Sequence, residues 1–301
     1  MKIKKNVWFL TIIAATCGGV IPAFTKIALE SMNSATFTLL RYITTAICLL
    51  ILGLIINQKI NWHSVIKVLP VSILAAVNAI TFAIAIRYIS PASVQFLYPI
   101  VPILVVIFSW FLLHQKTSAN KIFGVVVGFV GVIVVALSPV LAGESMVNFN
   151  ATGIFLVLLG SICFALYTVL SKRAQDHATP GDILMGTAVA TLVSQILLML
   201  LTSTPLTTKG ITLVSFGSAL IVGSVGTAVF YWLYQYIVKI STPLTASVIQ
   251  YILPFFGALW AYIILGNTIL PLAVFGGILA VVGAGQVNDI WHQLIKGTRK
   301  I

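Results

Sequence analysis

Four residues that bend or notch helices recur at one fixed spacing. Pro91, Pro102, Gly124 and Gly131 return as Pro243, Pro254, Gly276 and Gly283, each 243 − 91 = 152 positions later and with no gap between them. Matches among Leu, Ile and Val mean little in an apolar chain, but two prolines and two glycines held in register mark an internal duplication. Each copy reads as a proline-kinked apolar helix, a short turn and a glycine-notched helix. A proline inside such a helix frees a carbonyl, which a membrane protein tolerates where a neighbouring helix or a wet cavity satisfies the freed group. Pro102 and Pro254 are therefore the expected hinges, and their helices the expected lining of a central site. The first helices echo each other too. Phe9, Cys17 and Lys26 match Phe155, Cys163 and Lys172 at 155 − 9 = 146, which implies a few residues inserted near positions 204–209.

A chain that is 60% hydrophobic and 7% charged, with a mean hydropathy of +1.12, exposes too little polar surface to be a soluble domain. Apolar runs near the ~20 residues needed to cross a bilayer place helices at about 7–28, 34–57, 64–86, 91–113, 120–141, 151–172, 181–202, 211–238, 243–265 and 270–289. Five fall in each half. An odd number per copy makes the second copy enter the membrane from the opposite side. The expected fold is an all-α polytopic membrane protein of ten transmembrane helices in two inverted five-helix repeats, 1–141 and 151–301, joined by a linker at 142–150. Lys2, Lys4 and Lys5 precede the first run, but no small-residue cleavage site follows, so the run is read as a span.

The net charge of +12 does not point to nucleic acid, because the cations gather in alternate loops. With the N-terminus inside, 13 of the 17 fall on the cytoplasmic side, Lys59, Lys67, Lys116, Lys121, Lys172, Arg173 and Lys239 among them; Lys26, Arg41, Arg87 and Lys209 fall outside. Both termini are then cytoplasmic. Cys17, Cys48 and Cys163 lie within apolar spans and read as small buried hydrophobes.

With these elements in place the chain resembles the drug/metabolite transporter superfamily, and within it the EamA-type carriers with two five-helix repeats. The resemblance covers nearly the whole chain. It rests on Phe24-Thr25-Lys26 at the end of the first helix, Leu40-Arg41-Tyr42 at the opening of the second, the kinks at Tyr98 to Pro102 and Ile252 to Pro254, and the notched fifth and tenth helices. Those carriers often have Trp-Gly where this chain has Cys17-Gly18, and often a Glu where it has Gln115 and Asn267. The resemblance implies alternating-access transport across the cytoplasmic membrane, with export of amino acids or related metabolites as the leading substrate class. A multidrug or nucleotide-sugar-type exchanger is the alternative within the class, and a membrane enzyme or assembly subunit the alternative outside it.

The five acids, Glu30, Glu144, Asp176, Asp182 and Asp289, fall in loops or at helix ends, as do the four histidines. No metal cluster, Gly-rich phosphate loop or catalytic grouping is visible, so neither a cofactor nor an enzymatic reaction is expected. Polar and aromatic residues inside the spans carry more information, since each needs a partner or a wet surface. Asn78, Phe82, Gln95, Tyr98, Tyr167, Tyr231, Tyr234, Gln250 and Tyr251, with Gln195, flank the kinks. Any one alone can be a bond between helices; together they read as the lining of a solute cavity. Lys26, Arg41 and Arg87 read either as snorkelling side chains or as contacts to a solute carboxylate or phosphate. Gly124, Gly128, Gly131, Gly276 and Gly283 read as packing notches, with a homodimer through them as the alternative. The expected partners are thus a small-molecule solute and the bilayer.

Overall fold

The computed structural model describes residues 2–85, 88–89, 97–143, 150–207, 209–266 and 268–290. Gln95, Arg87 and most of the expected linker lie outside the described residues. Among the described residues ten helices run in chain order: α1 (Lys2–Ala28), α2 (Ser34–Ile55), α3 (Trp62–Ala85), α4 (Tyr98–Leu113), α5 (Ala119–Leu141), α6 (Ala151–Ala174), α7 (Pro180–Thr202), α8 (Leu213–Ile240), α9 (Pro243–Leu265) and α10 (Pro271–Val287). Helix is the form that satisfies every backbone group of a lone apolar segment in lipid. Polar residues mark the starts. The Asn33 side chain accepts from Thr36 N, that of Asn150 from Thr152 N and Gly153 N, and Thr179 forms a reciprocal capping box with Asp182. Prolines open α7, α9 and α10, where the missing N–H has no partner to lose.

The kinks differ in form. In α4 a 3-10 turn, Tyr98–Ile100, feeds into the α-helix Val101–Leu113 with Pro102 in its first turn. Helix α9 breaks at Val248 between Pro243–Ser247 and Ile249–Leu265, and Pro254 sits inside the second piece. Helix α8 carries an irregularity that apolar periodicity does not show: residues Val222–Val229 are a π-helix, and the Thr227 hydroxyl donates back to the Val222 carbonyl at 2.8 Å.

Inverted symmetry is written in the packing. A Cβ added to Gly124 would lie 2.8 Å from the Gly283 carbonyl oxygen, and one on Gly276 would lie 2.7 Å from that of Gly131. Each contact is the other's image under the 152-residue offset. Helices α5 and α10 therefore press their notches together within one chain. Those notched faces of α5 and α10 are occupied within the chain.

The remaining eight helices form two groups, each drawn from both repeats. One comprises α1, α2, α8 and α9; the other α3, α4, α6 and α7. Within the first, Trp260 Nε1 donates to Thr16 O at 3.0 Å and Thr45 Oγ1 to Gly223 O at 2.9 Å. Helix α3 of the second lies close on α6 and α7 because Gly160 faces Asn78 and Thr81, and Gly186 faces Ser72. Lipid tails are as apolar as the helix surfaces, so such close approach and interhelical bonds hold the helices together more than apolar burial does.

Candidate functional site

The two groups meet at an aromatic cluster centred on Phe164 of α6. Its ring centroid lies 5.7 Å from Tyr234, 6.0 Å from Tyr167, 6.3 Å from Tyr231 and 6.4 Å from Tyr98. Phe82 adds an edge-on contact to Tyr98 at 6.1 Å, and Phe230 packs on Tyr231 at 4.5 Å. These separations and tilts are the favourable range for ring pairs. The cluster joins α3, α4, α6 and α8, two of which carry a kink or a widened turn.

Its members divide into pillars and lining. Tyr167 and Tyr234 are enclosed. The Tyr167 hydroxyl is 3.1 Å from that of Thr187, and the Tyr234 hydroxyl 2.9 Å from that of Thr168. Thr168 donates its own proton to Phe164 O, so Tyr234 is the donor in that pair. Buried rings with satisfied hydroxyls hold the site in shape. Phe82 is 40% exposed, and Tyr98 and Tyr231 are half-buried, so these three keep accessible surface. The Tyr98 hydroxyl reaches Asn78 Oδ1 at 3.4 Å, while Asn78 Nδ2 is buried with no partner among the described residues. Gln250 is buried and makes no hydrogen bond to a described residue. Gln195 is likewise buried on α7.

Tyr251 departs from the expected arrangement. Its ring lies against α5, where a Cβ on Gly128 would come within 2.4 Å of it, and it makes no ring contact with the cluster. One residue along a helix turns a side chain by about 100°, which separates Tyr251 from Gln250. Phe164, in contrast, carries no mark in the sequence. Its counterpart at the 146 offset is Gly18, over which the Phe230 and Leu253 side chains pack.

The junction is closed unequally at its two ends. At the end rich in cations, Lys172 Nζ donates to the carbonyls of Val238, Lys239 and Ser241 at 2.9, 2.8 and 2.8 Å, tying α6 to the last turn of α8. Gln175 Nε2 bonds Gln235 O and Oε1 there, and Arg173 bonds Leu112 O of α4. Asp182, buried, accepts from Asn61 N at 2.8 Å. At the other end the inserted residues of the second repeat bond the α1–α2 turn: Asn33 Nδ2 donates to Pro205 O at 2.7 Å and Thr207 N to Thr36 Oγ1 at 2.8 Å. Lys26, the counterpart of Lys172, is exposed and has no hydrogen bond or ion pair with a described residue.

Ten membrane-length or near-length apolar helices, two interlocked repeats and an aromatic junction between the helix groups define a multi-pass membrane carrier of the inverted-repeat kind. The profile of the EamA-like transporter family matches residues 6–137 and again 151–288, and the chain belongs to that family, within the drug/metabolite transporter superfamily. It is 24% identical over 214 residues to the uncharacterized transporter YyaM of Bacillus subtilis, covering 71% of this chain and 69% of that one. A protein of Dictyostelium discoideum provisionally named a UDP-sugar transporter is 22% identical over 249 residues, 81% of this chain and 62% of that one. A solved crystal structure shares the fold, with a TM-score of 0.78 at 17% identity over 93% of this chain and 98% of that one.

Proposed function

We propose that the chain carries a small organic solute across the cytoplasmic membrane by alternating access, with amino acids or related metabolites as the substrate class and export as the direction. The observation that carries this reading is the aromatic junction between two helix groups, sealed by Lys172 at one end and without the matching Lys26 seal at the other. Two rigid groups that rock about such a site expose it to each side in turn. The proposed lining is Phe82, Tyr98, Tyr231 and Gln250, with Asn78, Phe164, Tyr167 and Tyr234 supporting it and Pro102 and Pro254 as hinges. Gln95, three residues before Tyr98 in the sequence, belongs to the same proposed lining. Both termini and the cation-rich end face the cytoplasm in this reading, following the cation bias. The name of the Dictyostelium relative favours a second substrate class, nucleotide sugars.

Counterflow in proteoliposomes over amino acids, nucleosides, sugars and nucleotide sugars tests the reading. Saturable exchange of at least one class, weakened by Tyr98→Ala in folded protein, is expected. Folded protein that exchanges none of them would overturn it. Cysteines at positions 59 and 116 should label from the cytoplasmic side only, and one at 209 from outside only.

A further inference from the structure

We infer that the guanidinium of Arg41 is the anchor for one anionic group of the transported solute, a carboxylate or a phosphate, beside the aromatic cluster; this rests on the transport reading above.

Arg41 stands on the second turn of α2, about 10 Å along the helix from its start at a rise of ~1.5 Å per residue. Its Nε donates to Thr227 Oγ1 in the π-helical segment of α8 at 2.7 Å, and its Cζ lies 5.4 Å from the Tyr42 ring centroid. Thr227 is about one turn before Tyr231, so the bond pins the charge about one turn from the cluster.

Five N–H donors make up the guanidinium fork, and one is used. The four on Nη1 and Nη2 have no partner among the described residues. No described carboxylate answers the charge: Asp289 pairs with Lys121, Asp182 is held by backbone amides at the cation-rich end, and Glu30 and Asp176 form no ion pair with it. A cation inside a span is costly unless something compensates it. A planar fork with its outer edge free matches a carboxylate or phosphate bidentately. The π-helix explains why the partner is a hydroxyl. Thr227 spends its own proton on Val222 O, five residues back, and so accepts from Arg41 without competing for the anion. An anion on Arg41 would leave the rest of the solute on Tyr231, Tyr98 and Phe82, a surface suited to an apolar or aromatic body. The site is therefore cationic at one edge.

The test compares matched solutes. Phenylalanine against phenylalaninamide, and uridine monophosphate against uridine, are measured as competitors of counterflow in proteoliposomes. The acid of one pair should compete at least about tenfold better than its partner lacking the anionic group, as expected for a lost charge-assisted hydrogen bond. Arg41→Gln should erase that ratio, and Arg41→Lys should restore part of it. Because Arg41→Gln also breaks the pin between α2 and α8, Thr227→Val, which breaks the same pin but keeps the charge, serves as the second variant and should lower the ratio without erasing it. Equal competition by the acids and their partners overturns the inference while transport stands; no competition or exchange by any solute overturns both. A preference unchanged in Arg41→Gln, or an Arg41-dependent stabilisation by anionic lipid with no solute preference, also overturns it.

Discussion

Phe164 shows what single residues reveal and conceal. The tyrosines and amides around it are conspicuous in an apolar sequence because each has a polar atom to satisfy, and Tyr98, Tyr167, Tyr231 and Tyr234 do gather on one cluster. Phe164 has no such atom, and its counterpart is Gly18, so neither chemistry nor repetition distinguishes it from any other apolar residue of α6. Adjacent Gln250 and Tyr251 were inseparable by type; only the helix rotation sets Tyr251 on Gly128 and turns Gln250 away from it. Removing Phe164 should act through the fold as well as through the site. Phe164→Ala should cost about 3–5 kcal/mol of stability, the usual range for a buried aromatic, whereas the exposed Phe82→Ala should leave thermal unfolding nearly unchanged and still weaken counterflow. Unfolding temperature in detergent, measured beside exchange rate, separates the two. Equal loss of stability in both would show that Phe82 is a packing residue.

At the level of elements, run length and capping residues carried most of the information. The ends of α2, α5, α6 and α7 fall within about two residues of those expected from the apolar runs, because Asn33, Asn150 and Thr179 fix where the first amides are satisfied. The π-turns of α8 were not legible, since a widened turn changes which residues share a face without changing composition. Its 28-residue length, more than a bilayer needs, was the one hint. The notched helices give the sharpest expectation at this scale. A Cβ on Gly131 would sit 2.4 Å from Ala280 N and one on Gly283 would sit 2.3 Å from Gly128 N, both backbone atoms that cannot swing aside. Gly131→Ala and Gly283→Ala should each destabilise the protein by about 1–3 kcal/mol through overpacking. Gly217, which has no atom within 4 Å of an added Cβ, should accept Ala with no loss and a gain of up to about 1 kcal/mol from helix propensity. Thermal unfolding of the three variants checks this, and a Gly131→Ala protein as stable as Gly217→Ala would mean that α5 and α10 are not pressed together as described.

For the whole molecule, the inverted repeats turn one asymmetry into an expectation about a second conformation. Lys172 holds the end of α8 through three carbonyls, whereas Lys26, its counterpart on α1, is exposed and holds nothing described. Helix α3 is to α1 what α8 is to α6. If the two repeats exchange conformations when the carrier turns over, Lys172 must release and Lys26 must close on the last carbonyls of α3. Each charged hydrogen bond contributes about 1.5–3 kcal/mol, so losing even one biases a two-state equilibrium by about tenfold or more. The two lysines should therefore act with opposite signs. With a cysteine at Ser247, a buried position near the start of α9 at the cation-rich end, Lys172→Gln should raise the rate of labelling by a membrane-impermeant thiol reagent supplied from that end. Lys26→Gln should lower it, because the conformation that exposes position 247 then loses its own latch. Counterflow should slow in both, since turnover needs both states. Labelling that moves the same way in the two variants, or that moves in neither, would break the link between the latch and the repeat symmetry, and would leave Lys172 as no more than a cap on the end of α8.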